Sequence, residues 1–194
     1  MPAIKAVTVF GGAASGSDPV FRETATRLGR GLAEAGITVI FGGGSIGMMG
    51  AVADGALAAG GDVVGIIPDF LARREVAHTK VTEMIVTDSM HSRKRRMFEM
   101  SDGFVTLPGG LGTLDETFEM ITWRQLDLHA KPILICDVMG WGKHFKGMVE
   151  SYVAMGFVPV RAREWFEILP NAESIVQRLV ELPAIESATP VSRL

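Results

Sequence analysis

Ile37-Thr38-Val39-Ile40-Phe41-Gly42-Gly43-Gly44-Ser45-Ile46-Gly47-Met48-Met49-Gly50 decides the fold. An apolar, β-branched run (Ile37–Phe41) breaks into glycines, and a helical pattern then extends over Gly47–Ala59. A second apolar run, Asp62–Ile67, follows at once. Continuous apolar runs of this length fit strands covered on both faces, and strand, helix and strand in succession demand a parallel crossover. Outward from this unit the alternation repeats. Ile4–Phe10, Val81–Val86, Gly103–Leu107 and Pro132–Cys136 read as further strands. Pro19–Ala35, Ser89–Met100, Thr113–Leu126, Trp141–Met155 and Asn171–Glu181 read as helices. The class is α/β: a Rossmann-like three-layer fold with a mostly parallel sheet. Residues 1–182 are expected to form one domain, and the Ser-, Thr- and Pro-containing end, 183–194, a flexible tail.

Composition narrows the function. The 194 residues carry a net charge of −3, which argues against nucleic-acid backbone binding. Cys136 is the single cysteine, so a disulfide framework and a cysteine-based zinc site are excluded. The N-terminal stretch lacks the pattern of a secretory signal, and no run approaches the ~18 apolar residues of a membrane span. A soluble, cytoplasmic protein without membrane partners is expected.

Three strand-to-helix loops are rich in glycine: Gly11–Gly16, Gly42–Gly50 and Pro108-Gly109-Gly110-Leu111-Gly112-Thr113. Ligands of such sheets bind at the carboxyl ends of the strands, where N–H groups at helix N-termini receive anions. Tight turns alone would also need glycine, but three such loops suit a phosphorylated ligand. Residues 42 to 47 match G-x-G-x-x-G, yet they follow the second strand and no acidic residue ends the next one. A nicotinamide enzyme is therefore not favoured. The chain has no GK[ST], which excludes a nucleoside-triphosphate P-loop.

Thr113-Leu114-Asp115-Glu116 admits two readings. As a capping box, Thr113 caps the helix and Glu116 reaches back to it. As chemistry, a carboxylate beside an anion site suits the oxocarbenium-like carbon and the attacking water of glycoside hydrolysis. Arg93-Lys94-Arg95-Arg96 fans around its helix, so all four cannot serve one pocket; Arg93 and Arg96 share a side and Arg95 reads as solvated. His78, His91, His129 and His144 show no metal-ligand spacing and read as surface or structural. The many methionines, among them Met48, Met49, Met84, Met90, Met97, Met100 and Met120, are core filler that could also wall a pocket.

Pro108 to Glu116 matches PGGxGTxxE, and with Val9–Gly12, Phe41–Gly50, Met90–Lys94 and Ile121–Leu126 the sequence resembles the LONELY GUY cytokinin-activating family, often labelled lysine decarboxylase-like. The resemblance implies a Rossmann-like homodimer that hydrolyses nucleoside 5′-monophosphates to free base and ribose 5-phosphate, without metal or organic cofactor. It makes Arg93 and Glu116 catalytic. It assigns substrate contacts to Glu75, Lys94, Gly109, Gly110, Leu111, Gly112, Thr113, Leu114, Asp115 and Thr122, with Gly43 and Gly44 of the second loop counted beside them. Leu111 stands where many plant members have an aromatic residue, Asp115 where they have Glu, and Gly12-Ala13-Ala14 departs from the commoner Ser-containing stretch. No lysine context designates a pyridoxal-phosphate site for decarboxylation. The alternative class is a phosphate-bearing ligand carrier, resembling molybdenum-cofactor carriers, which has no evident need of the Arg93 and Glu116 pair.

Overall fold

A computed structural model describes residues 3–72 and 77–183. The elements run β1 (Ala6–Phe10), α1 (Pro19–Glu34), β2 (Thr38–Phe41), α2 (Gly47–Ala58), β3 (Val63–Pro68), α3 (Asp69–Ala72) and β4 (Glu83–Thr87). They continue with α4 (Met90–Met100), β5 (Gly103–Thr106), α5 (Leu111–Gln125), β6 (Ile133–Cys136), α6 (Trp141–Ala154), a 3-10 turn (Val160–Glu164), β7 (Glu167–Leu169) and α7 (Ala172–Glu181). Among the described residues seven strands form one parallel sheet, in the order β4-β3-β2-β1-β5-β6-β7.

The strands alternate their side chains between two cores. Val39, Phe41, Leu134 and Cys136 point into one, with Leu28 of α1, Val52 of α2 and Ile175 of α7. Ile40, Ile133 and Ile135 point into the other, with Phe98 of α4, Met120 of α5 and Phe145 of α6. Three layers result, as the uninterrupted apolar runs imply. Two expectations shift. The strand β7 escapes the apolar-run criterion because it is short, half-buried and begins at Glu167. The helix α5 begins at Leu111, two residues before Thr113, with Gly110 as a cap that has no side chain to bond.

From β1 the chain winds outward through β2, β3 and β4, then returns to the other flank of β1 as β5 and winds outward again. The crossovers leave β1 and β5 in opposite directions, so their carboxyl ends open a crevice.

His129 shows how the second core handles a polar ring. It is buried, edge-on to Phe98 and Phe104. Its Nδ1 accepts from the Lys131 N–H at 3.1 Å, which assigns the proton to Nε2, 2.8 Å from the Met120 carbonyl. Burial, aided by the Lys131 and Arg124 charges and opposed by the Met120 bond, lowers its pKa from 6.5 to about 4. A depressed folded value contributes stability above the unfolded pKa that is lost as pH falls toward the folded one. Urea unfolding from pH 6.5 to 4 should therefore show the natural protein losing up to about 3 kcal/mol more than His129→Gln. Parallel pH curves for the two proteins would contradict the neutral buried ring.

Candidate active site

The crevice between β1 and β5 is a cleft of about 630 Å³. The loop after β1 (Gly11 to Gly16) forms one side, and Pro108, Gly109, Gly110, Gly112 and Thr113 form the other. The Gly12 N–H donates to the Pro108 carbonyl at 3.1 Å, and the Gly12 carbonyl accepts from the Met48 N–H at 2.9 Å. The two loops and the start of α2 thus form one unit. Gly109 allows a close approach, since a Cβ there would lie 2.1 Å from Thr113 Oγ1 and 2.8 Å from the Gly12 nitrogen. The first turn of α5 has no side-chain cap, so its N–H groups are free to receive an anion.

Arg93 and Glu116 meet in the cleft, Nη1 to Oε1 at 3.2 Å, and both are buried. Arg93 reaches it from the first turn of α4, whose start is fixed by reciprocal bonds between Ser89 and Ser92, 3.1 Å each way. Asp88 adds a hydrogen bond from the Ser92 hydroxyl. The Arg93 Nε donates to the Ile66 carbonyl at the end of β3, 3.1 Å away. Its Nη2 lies where any Cβ on residue 42 would be, at 2.3 Å, so only glycine at that position leaves room for the guanidinium.

Burial raises the Glu116 pKa above its ordinary value; Arg93 opposes the rise, Asp115 adds to it, and Lys94 and Glu119 contribute smaller opposed effects. The carboxyl is thus held between a desolvation cost and one close cation. Lys94 lies outside the cleft lining, with Nζ 3.1 Å from Asp115 and 3.0 Å from Glu119. Burial opposes its charge, but the bonds to Glu119 and Asp115 outweigh burial and raise its pKa. Lys94 therefore ties α4 to α5, the helices that carry Arg93 and Glu116.

The capping-box reading of Glu116 does not hold. With Gly110 as the cap, Thr113 is the third helical residue and Glu116 the sixth, and Glu116 turns to Arg93 instead. Of the basic run only Arg93 is buried, while Arg95 and Arg96 pair with Glu99 at 3.0 and 3.8 Å. Gly109, Gly110, Gly112 and Thr113 line the cleft, whereas Leu111, Leu114, Asp115, Thr122, Gly43 and Gly44 do not. Leu111 is 86% exposed. Thr122 is exposed on α5, six residues and about 9 Å along the helix from Glu116. Glu75 lies outside the described residues. Met48, Met49 and Met90 wall the cleft, but Met97 and Met120 are core. Phe21, Leu71 and Trp141 also line it, and the sequence motifs did not single them out. Among the described residues no three His, Cys, Asp or Glu are placed to hold a metal ion.

The family model described as "Possible lysine decarboxylase" matches residues 49–179. The "Probable cytokinin riboside 5'-monophosphate phosphoribohydrolase LOGL9" of Oryza sativa subsp. japonica is 42% identical over 175 residues, 90% of this chain and 77% of that protein. The cytokinin riboside 5'-monophosphate phosphoribohydrolase LOG7 of Arabidopsis thaliana is 38% identical over 177 residues, 91% and 82% of the two chains. Among solved structures, the molybdenum cofactor carrier protein of Chlamydomonas reinhardtii superposes with a TM-score of 0.70 at 19% identity, covering 92% of this chain and 99% of that one. That likeness shows the fold.

The charge arrangement has a direct test by ¹³C NMR titration of the Glu116 carboxyl. Arg93→Met removes the opposing cation and should move the Glu116 midpoint higher still. Asp115→Asn removes a like charge and should move it down. The absence of both shifts would mean that burial alone governs the group, and shifts of the reverse sign would contradict the charge arrangement.

Proposed function

The chain belongs to the cytokinin riboside 5′-monophosphate phosphoribohydrolase family, and from that premise we propose that it hydrolyses the N-glycosidic bond of N6-substituted adenine nucleoside 5′-monophosphates. Water adds to C1′, the bond from C1′ to the base nitrogen breaks, and its electron pair leaves with the base. Proton transfer from the water to the base completes the products, free base and ribose 5-phosphate.

The observation that carries this reading is the buried Arg93–Glu116 pair, at 3.2 Å, beside the uncapped start of α5. The phosphate dianion takes the N–H groups of Gly110 to Thr113 at the positive end of the helix dipole. Fixing that end delivers C1′ to Glu116. The carboxylate steadies the positive charge that develops there and orients the attacking water. Arg93 holds Glu116 in place and favours departure of the base through charge and hydrogen bonding. Neither metal nor organic cofactor has a part in this scheme.

Among the described residues no lysine lines the cleft, so the decarboxylase description finds no Schiff-base candidate among them. A carrier without hydrolysis would leave the buried pair unexplained. We further propose that residues 1–182 work as one unit, in the cytoplasm, as a homodimer. The exposure of Leu111 (86%) and Leu126 (61%) at the two ends of α5 supports an apolar contact there.

Chromatography of base released from AMP and from isopentenyladenosine monophosphate tests the reading. Release is expected from at least one, and Glu116→Gln should lower the rate by a factor on the order of 10² or more while the fold persists. Absence of base release from both, or an undiminished Glu116→Gln variant, overturns it.

A further inference from the structure

Trp141 opens α6 at the carboxyl edge of the sheet, where the loop after β6 meets the loop after β5. Its indole Nε1 donates to the Gly109 carbonyl at 3.2 Å, and the ring lines the cleft. Behind it the ring stacks on buried Phe145, centroids 6.2 Å apart, and Phe145 stacks on Phe118 of α5 at 4.9 Å. The indole is therefore braced by the second core rather than loosely laid over the cleft.

The backbone that delivers Trp141 is unusual. Met139 has φ 51° and Gly140 φ 82°, two left-handed residues in succession immediately before the helix. Glycine adopts this region readily, but methionine does so at a cost. Met139 is 66% exposed, so its side chain packs little to offset that strain. Strain of this kind persists where the surroundings require a particular geometry. The strained residue lies two positions before Trp141, whose indole is held against Gly109.

We propose that Trp141 is a positioning residue for the phosphate end of the site, an inference that rests on the hydrolase reading above. A trans peptide is planar, with C=O and N–H pointing oppositely. By holding the Gly109 carbonyl, the indole fixes the plane of the Gly109–Gly110 peptide and so the direction of the Gly110 N–H. The same bond keeps the carbonyl oxygen engaged, so that it does not turn its lone pairs on an incoming anion. Trp141 thus acts on ribose 5-phosphate through Gly109, and the base end of the substrate does not depend on it.

Calorimetric titration of the intact protein with ribose 5-phosphate, and separately with adenine, reads this directly. Trp141→Phe keeps a ring and removes the donor. It should weaken ribose 5-phosphate by about tenfold, with adenine affinity within about twofold of the natural protein. Gly140→Ala keeps the indole but strains its delivery, and should weaken ribose 5-phosphate severalfold; it decides the matter if Trp141→Phe does not fold. A purely structural role would lower the melting temperature and the fraction of binding-competent protein, leaving both dissociation constants unchanged. Unchanged ribose 5-phosphate affinity in the folded variants, an equal loss for adenine, or no ribose 5-phosphate binding by the natural protein overturns the proposal. Hydrolysis by the natural protein with unaltered variants would sink this inference alone. Weakened ribose 5-phosphate binding in a protein that releases no base would sink the hydrolase reading alone.

Discussion

The buried ion pair between Arg93 and Glu116 is the interaction on which the site depends. Two charges taken from water carry a desolvation penalty, repaid only by good geometry and further hydrogen bonds. The protein supplies these from separate parts of the chain. The Ile66 carbonyl receives Nε, the missing side chain of Gly42 makes room for Nη2, and the Ser89–Ser92 cap sets where α4 begins. The elevated Glu116 pKa shows that the compensation is incomplete. A carboxylate held in this way favours a cationic neighbour, which the oxocarbenium-like carbon of the proposed hydrolysis would supply.

The parallel sheet explains why these parts converge. Reversal of winding at β1 and β5 opens one crevice, and every strand contributes its carboxyl end to the same edge. The flanking helices divide the labour. The uncapped N-terminus of α5 offers positive potential, α4 contributes the guanidinium, and Lys94 ties the two together through Asp115 and Glu119. The left-handed pair Met139 and Gly140 leads into α6, a third helix start at that edge.

Much of this was legible in the sequence because the signals were local. Strands covered on both faces must be apolar throughout, so β1, β2, β3, β5 and β6 declared themselves. The edge strand β7 did not, because half its surroundings are solvent and three residues give no period to read. Thr113 to Glu116 imitates a capping box, and only the tertiary partner Arg93 shows why Glu116 serves another purpose. A helical wheel placed Arg93 and Arg96 on one side, but packing beneath Gly42 selected Arg93 alone. The family resemblance suggested Lys94 and Thr122 as substrate contacts; Lys94 pairs with Asp115 and Glu119, and Thr122 is not among the residues that line the cleft. Trp141 carries no motif, because its significance arises from a carbonyl more than thirty positions away.

Delivery of C1′ to Glu116 in the proposed hydrolysis requires the α5 N-terminus to hold a phosphate. Binding energy from a remote, non-reacting group then appears in the rate as well as the affinity. Steady-state kinetics on AMP and adenosine, with the same enzyme preparation, tests this most directly. The expected result is a kcat/KM for AMP that exceeds that for adenosine by on the order of 10³-fold or more. Comparable values for the two would mean that the glycine loop is only a turn, and would contradict it.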